Sequence, residues 1–154
     1  MDNEILSKYF VGQILRSQIF VDVSGFAGKL TKNCRYVIAS SKAAPLYKMA
    51  PDNEKWKLHV INVNSFFKLL DIYRRNEQTQ ILLLHIPEKG IEIFKHLVIN
   101  IGDTNVEEEI INKARDSFDV KMKMPVCIEL EESEWIERTK YPIGLDSENN
   151  FFSL

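Results

Sequence analysis

Ser40, Ser41 and Lys42 follow the apolar run from Cys34 to Ala39. Hydroxyls and a cation at the C-terminal end of a strand, leading into a helix start, can hold a carboxylate or a phosphate. Ligands of α/β sheets sit at such strand ends. The plainer reading is that the two serines cap a turn. A second segment, Ser24-Gly25-Phe26-Ala27-Gly28-Lys29, also joins glycines to a lysine. A nucleotide-phosphate loop needs its glycines five positions apart, then Lys and Ser or Thr. Here they are three apart and Leu30 follows Lys29, so we reject that motif in favour of a simple connection.

The histidines are His59, His85 and His96. His59 and His85 fall in neighbouring strand-like segments, and pairing of those strands would bring them together as an acid/base pair. A hydrogen-bonded histidine in a half-buried strand is the structural alternative for each. No histidine has a second His or Cys at the short spacing of metal ligands, so neither a metal nor a cofactor is expected. Asp22 stands alone on the apolar run Ile19 to Val23 and becomes a catalytic candidate if it faces inward.

Other patterns fail on spacing. Glu54 and Lys57 are three apart where a nuclease centre needs two, and Asp119-Val120-Lys121 lacks a partnering strand carboxylate. Asp146, Glu148 and Asn150 start like a calcium loop, but Phe151 stands where glycine is required. No Gly-x-Ser-x-Gly serine-hydrolase motif is present.

These residues must be positioned by elements that the apolar pattern predicts. Residues 3–17 have helical spacing through Ile5, Leu6, Tyr9, Phe10 and Ile14. Strands are expected over 18–24 and 34–40, joined by too few residues for a parallel crossover and therefore antiparallel. A short helix over 43–50 and a turn at Pro51 precede a strand over 56–63. Residues 65–75 place Lys68, Asp71 and Arg75 on one side at helical spacing, with a strand over 67–73 as the rival. With the helix, strands 56–63 and 79–86 form a parallel crossover; with the rival, a hairpin forms.

Farther on, a helix is expected after Glu88, leading into a short strand at 98–101. Thr104-Asn105-Val106-Glu107 then opens a helix to about Phe118 as a capping box. A strand over 125–130 and a short acidic helix over 132–139 follow. Phe151 and Phe152 near the end predict a tail that docks on the core. The expected fold is α/β or α+β: one domain over 1–154, with a mixed sheet of about five strands packed with helices.

The 154 residues are 45% hydrophobic and 27% charged, enough apolar content for a packed core. The purest apolar runs, such as Ile81 to Leu84, fall far short of the roughly 20 residues of a membrane span. Two cysteines, Cys34 and Cys127, do not make a disulfide framework, and the N-terminus has no secretory pattern, so a cytoplasmic home is expected.

The formal charge of -2 conceals a polarised chain. Lys29 to Lys57 holds seven basic and two acidic residues, whereas Asp103 to Glu137 holds eleven acidic and four basic. Nucleic acid is disfavoured as a partner by the acidic half. The main expectation is a small protein-interaction module, an immunity or inhibitor protein or a complex subunit. It would offer Glu107, Glu108, Glu109, Glu131, Glu132 and Glu134 to a basic partner, with Trp135 as anchor. The alternative is an enzyme or sensor that binds a small phosphorylated or carboxylated ligand at Ser40, Ser41 and Lys42.

Overall fold

In a computed structural model of the chain, residues 1–26, 28–89, 91, 100–101 and 104–154 are described. The main sheet takes its strands in the order β1 (Ile14–Ser17), β5 (Ser65–Arg75), β6 (Gln78–Ile86) and β3 (Cys34–Ala39). β5 is antiparallel to β1 and β6, and β3 is parallel to β6. A second sheet pairs β2 (Val21–Ser24) with β4 (Leu58–Ile61) antiparallel, and β7 (Asn100–Ile101) pairs with β8 (Thr104–Asn105). Helices that lie wholly within the described residues include α1 (Asn3–Leu6), α2 (Val106–Lys121) and α3 (Ser133–Arg138). The fold is therefore α+β, built on a mixed sheet.

The segment 65–75 is a strand and not a helix, and it forms a hairpin with β6. Its misleading spacing has a physical cause. The register shifts between Leu69 and Asp71, an irregularity that accommodates Leu70 as an extra residue. Lys68 and Asp71 thereby share a sheet face although they are three apart in sequence. The turn uses Asn76 and Glu77 with φ of 49° and 66°, the left-handed pair that tight hairpins need. The parallel crossover expected with a helix here is absent; the parallel pair is β3 with β6.

The helix expected over 3–17 stops at Leu6. Gly12 has φ of +89°, its N–H donates to the Leu69 carbonyl, and the Leu69 N–H donates to the Gln13 carbonyl. The edge of β5 thus captures the chain as β1. Nor do the strands within 18–24 and 34–40 pair, since β2 and β3 belong to different sheets. The strand expected over 125–130 is replaced by a 3-10 turn at Ile128–Glu131, with one bridge between Lys29 and Val126. The helix expected after Glu88, and His96 with it, lies outside the described residues.

The two faces of the main sheet differ. Phe67, Leu69, Ile81 and Leu83 point to one side and join Leu15, Val21, Ile61, Tyr9, Ile143 and Leu145 in the principal core. The tail docks there: the Tyr9 hydroxyl donates to the Ile143 carbonyl at 2.7 Å, and Phe151 meets the Tyr9 ring edge-on at 5.8 Å. The opposite face receives α2 through polar contacts. Lys68 meets Glu107 at 2.8 Å, Asp71 holds Arg115 through two bonds of 2.7 and 2.8 Å, and the Tyr73 hydroxyl donates to Asp119 at 3.1 Å. A smaller cluster of Trp56, Leu58 and Trp135 fastens α3 beside β4. Among the described residues no helix is long and apolar enough to cross a membrane.

Candidate anion-binding site

β3 and β6 end side by side, with Ala39 registered against Leu84. The next residue on each strand, Ser40 and His85, comes together: Ser40 Oγ lies 2.7 Å from His85 Nδ1. The Lys42 N–H donates to Ser40 Oγ at 3.1 Å. In the tautomer with its proton on Nε2, His85 accepts the Ser40 hydroxyl proton at Nδ1. The ring packs on Phe67, registered opposite it on β5, with centroids 5.3 Å apart. Partial burial holds the His85 imidazole below its ordinary value and so neutral at pH 7.

A neutral imidazole bonded to a serine hydroxyl can take that hydroxyl's proton as a general base, or return it. Among the described residues no carboxylate bonds to His85, so the pair is a dyad rather than a triad. Ser41 and Lys42 are exposed immediately beside it. The backbone turn made by Ser40, the capping role expected of it, and the contact with His85 coexist in one side chain.

The other candidates lie elsewhere. His59 is on β4 in the second sheet, its Nδ1 is 2.9 Å from the Lys57 carbonyl oxygen, and its ring packs on Tyr47. It does not meet His85. Asp22 is registered opposite Val60, whereas His59 is registered opposite Val23, so the two fall on opposite faces of their sheet. Asp22 pairs with Arg138 at 3.3 Å. Asp146, first residue of the calcium-like pattern, accepts the backbone N–H groups of Glu148 and Asn150 and holds its own turn. The sequence offered no direct signal that Ser40 and His85 would meet, because that contact depends on the parallel register of β3 and β6.

The acidic interaction face is corrected. Trp135 is 8% exposed and packs on Trp56 with centroids 5.6 Å apart, so it is no anchor for a partner. Glu107 is buried against Lys68, and Glu131 accepts from the Thr31 backbone and hydroxyl at 3.0 and 2.6 Å. Glu132 and Glu134 share Lys55 at 3.4 Å each, and Glu109 pairs with Lys113 at 3.2 Å. Of the six glutamates, Glu108 alone shows no side-chain bond or ion pair among the described residues. The opposite charges of the chain thus meet one another within the molecule.

No family model matches the chain, and no curated protein matches it. Among solved structures, the ADP-ribosyltransferase Vis in complex with the M6 inhibitor overlaps with a TM-score of 0.44 at 14% identity over 58% of this chain. The same enzyme with agmatine gives 0.42 at 13%, as does the Vis toxin from Vibrio splendidus. The chain spans 46% of the length of each. The expectation of an acidic docking surface is set aside, because Trp135, Glu107, Glu131, Glu132 and Glu134 are engaged within the molecule.

Proposed function

We propose that the chain is an enzyme or sensor that binds a small phosphorylated or carboxylated ligand at the C-terminal edge of the β3–β6 pair. Lys42 supplies the charge, the Ser40 and Ser41 hydroxyls supply directional hydrogen bonds, and His85 carries a proton to or from Ser40. The observation that supports this most is the 2.7 Å contact between Ser40 Oγ and His85 Nδ1 beside an exposed lysine. In an enzyme, proton transfer from Ser40 to His85 would free the hydroxyl oxygen as a nucleophile. In a sensor, ligand binding would change the protonation of His85. A cytoplasmic setting suits two cysteines that are both free.

A thermal-shift screen tests the proposal, using inorganic phosphate, sugar phosphates, nucleotides, ADP-ribose and dicarboxylates. A ligand at about a hundred times its Kd adds about 2.7 kcal/mol of stability. At least one of these compounds raises the melting temperature, and Lys42→Ala removes the rise. A flat response to every compound, or a rise that Lys42→Ala leaves intact, overturns it.

A further inference from the structure

At the opposite end of β6 a cleft of about 540 Å³ opens between the β5–β6 turn, the Lys29 loop and the C-terminal end of α2. Its volume falls in the range of small-molecule sites, roughly 300–1,000 Å³. Lys29, Arg75 and Lys123 line it together with the amides of Asn76 and Gln78, and one carboxylate, Asp119, joins them. Both oxygens of Asp119 lie 3.1 Å from the Tyr73 hydroxyl. None of the three cations has a carboxylate within ion-pair distance among the described residues.

Two further cations stand beside this lining. Arg35 on β3 donates to the carbonyl of Gly28, the neighbour of Lys29, and its Nε is buried with no hydrogen-bond partner. Lys121 follows Asp119 by two residues, and burial, with the charge of Arg35, holds its ammonium below the ordinary value. A helix C-terminus accounts for lysines at 121 and 123, because cations there complement the helix dipole. It does not account for Lys29, Arg35 and Arg75, which come from three other places in the chain. Several like charges gathered around the single carboxylate of Asp119 repel one another, and a bound anion relieves that repulsion.

We propose that this cleft binds a small, multiply charged phosphate compound, such as a pyrophosphate or a nucleoside polyphosphate. Guanidinium and ammonium groups suit phosphate oxygens, and the Asn76 side-chain amide adds a neutral donor, whereas the Gln78 amide already donates to the Leu30 carbonyl at 2.6 Å. The site is separate from Ser40. β6 runs from Gln78 at the cleft to His85 beside Ser40, about 25 Å at the usual rise per residue.

Calorimetric titration with inorganic tripolyphosphate, at fixed ionic strength, is the test. Lys42→Ala, which removes the Ser40 site, retains one equivalent of binding, and Arg75→Ala/Lys123→Ala in that background weakens it by at least about tenfold. Both substituted residues are exposed, so the double variant should fold; circular dichroism checks this, and Lys29→Gln supplies an independent variant with the same direction of effect. Failure to bind, equal binding by the cleft variants, or loss of binding only in Lys42→Ala overturns the proposal. So does binding of a single-stranded oligonucleotide where tripolyphosphate fails. Failure here leaves the Ser40 reading standing, since that reading is judged by Lys42→Ala.

Discussion

Ser40 and His85 meet because two parallel strands end in register, and the chemistry of the pair depends on the imidazole staying neutral. Burial disfavours its charged form, so the folded chain takes up that proton at a lower pH than the unfolded chain does. The unfolded chain then binds more protons once the pH falls below about 6.5, and acidification draws the equilibrium towards it. The stability associated with a neutral His85 is present above about pH 6.5 and declines as the pH drops towards the folded value. Replacing His85 with Gln therefore flattens the fall in stability between about pH 6.5 and pH 5. Denaturant midpoints measured across that interval check this; an unchanged slope contradicts it. The individual residues of this site were legible as types, Ser40, Ser41 and Lys42 above all. Their meeting with His85 was not, because β4 and β5 intervene in sequence between the two strands that bring them together.

Among the elements, β5 and α2 are joined by charge as much as by apolar contact. Phe118 packs edge-on against Tyr73, but Lys68–Glu107 and Asp71–Arg115 precede that contact along the helix. Removing one partner of a buried ion pair costs about 3–5 kcal/mol, since a buried charge loses its compensation. Glu107→Ala should destabilise by about that amount, measured by urea unfolding; a loss below 1 kcal/mol would show that the contact contributes little. The β5–β6 turn makes the opposite prediction. Glu77 sits at φ of 66°, where an L-residue costs about 1–2 kcal/mol and glycine does not. Glycine also loses more freedom on folding, offsetting about 0.5–1 kcal/mol. Glu77→Gly should therefore raise stability by about 0.5–1 kcal/mol, and a lowered midpoint would contradict the turn geometry.

The same elements explain what sequence patterns can and cannot carry. β6 is readable as a clean apolar run, and the start of α2 is readable to within a residue: Asn105 and not Thr104 is the cap, its side chain accepting the Glu108 N–H at 3.0 Å, and Glu107 pairs with Lys68 instead of closing a capping box. β5 was ambiguous because its bulge converts an alternating strand into three-residue spacing. The first helix was overextended because Tyr9, Phe10 and Ile14 keep helical intervals while serving a turn and an edge strand. A single glycine at position 12, with positive φ, decides between the two.

For the whole molecule, the polarised charge read from the sequence is real, and its consequence is internal. Lys55 of the basic half pairs with Glu132 and Glu134 of the acidic half, and Thr31 is bound by Glu131. Among the cations without an ion pair in the described residues, Lys42 stands by Ser40 at one end of β6, and Lys29, Arg75 and Lys123 line the cleft at the other. A segment-by-segment charge count could not distinguish these cases, because pairing depends on which segments the fold brings into contact.

We propose above that the Ser40–His85 edge binds an anion through Lys42. Nitrogen-15 NMR of the His85 imidazole tests it most directly, during titration with the phosphorylated or carboxylated compound that gives the largest thermal shift. Anion binding at this edge produces a saturable change in the His85 ring resonances that Lys42→Ala abolishes while the protein remains folded. Ring resonances that stay fixed as the ligand saturates the protein, or that move equally in Lys42→Ala, would contradict it.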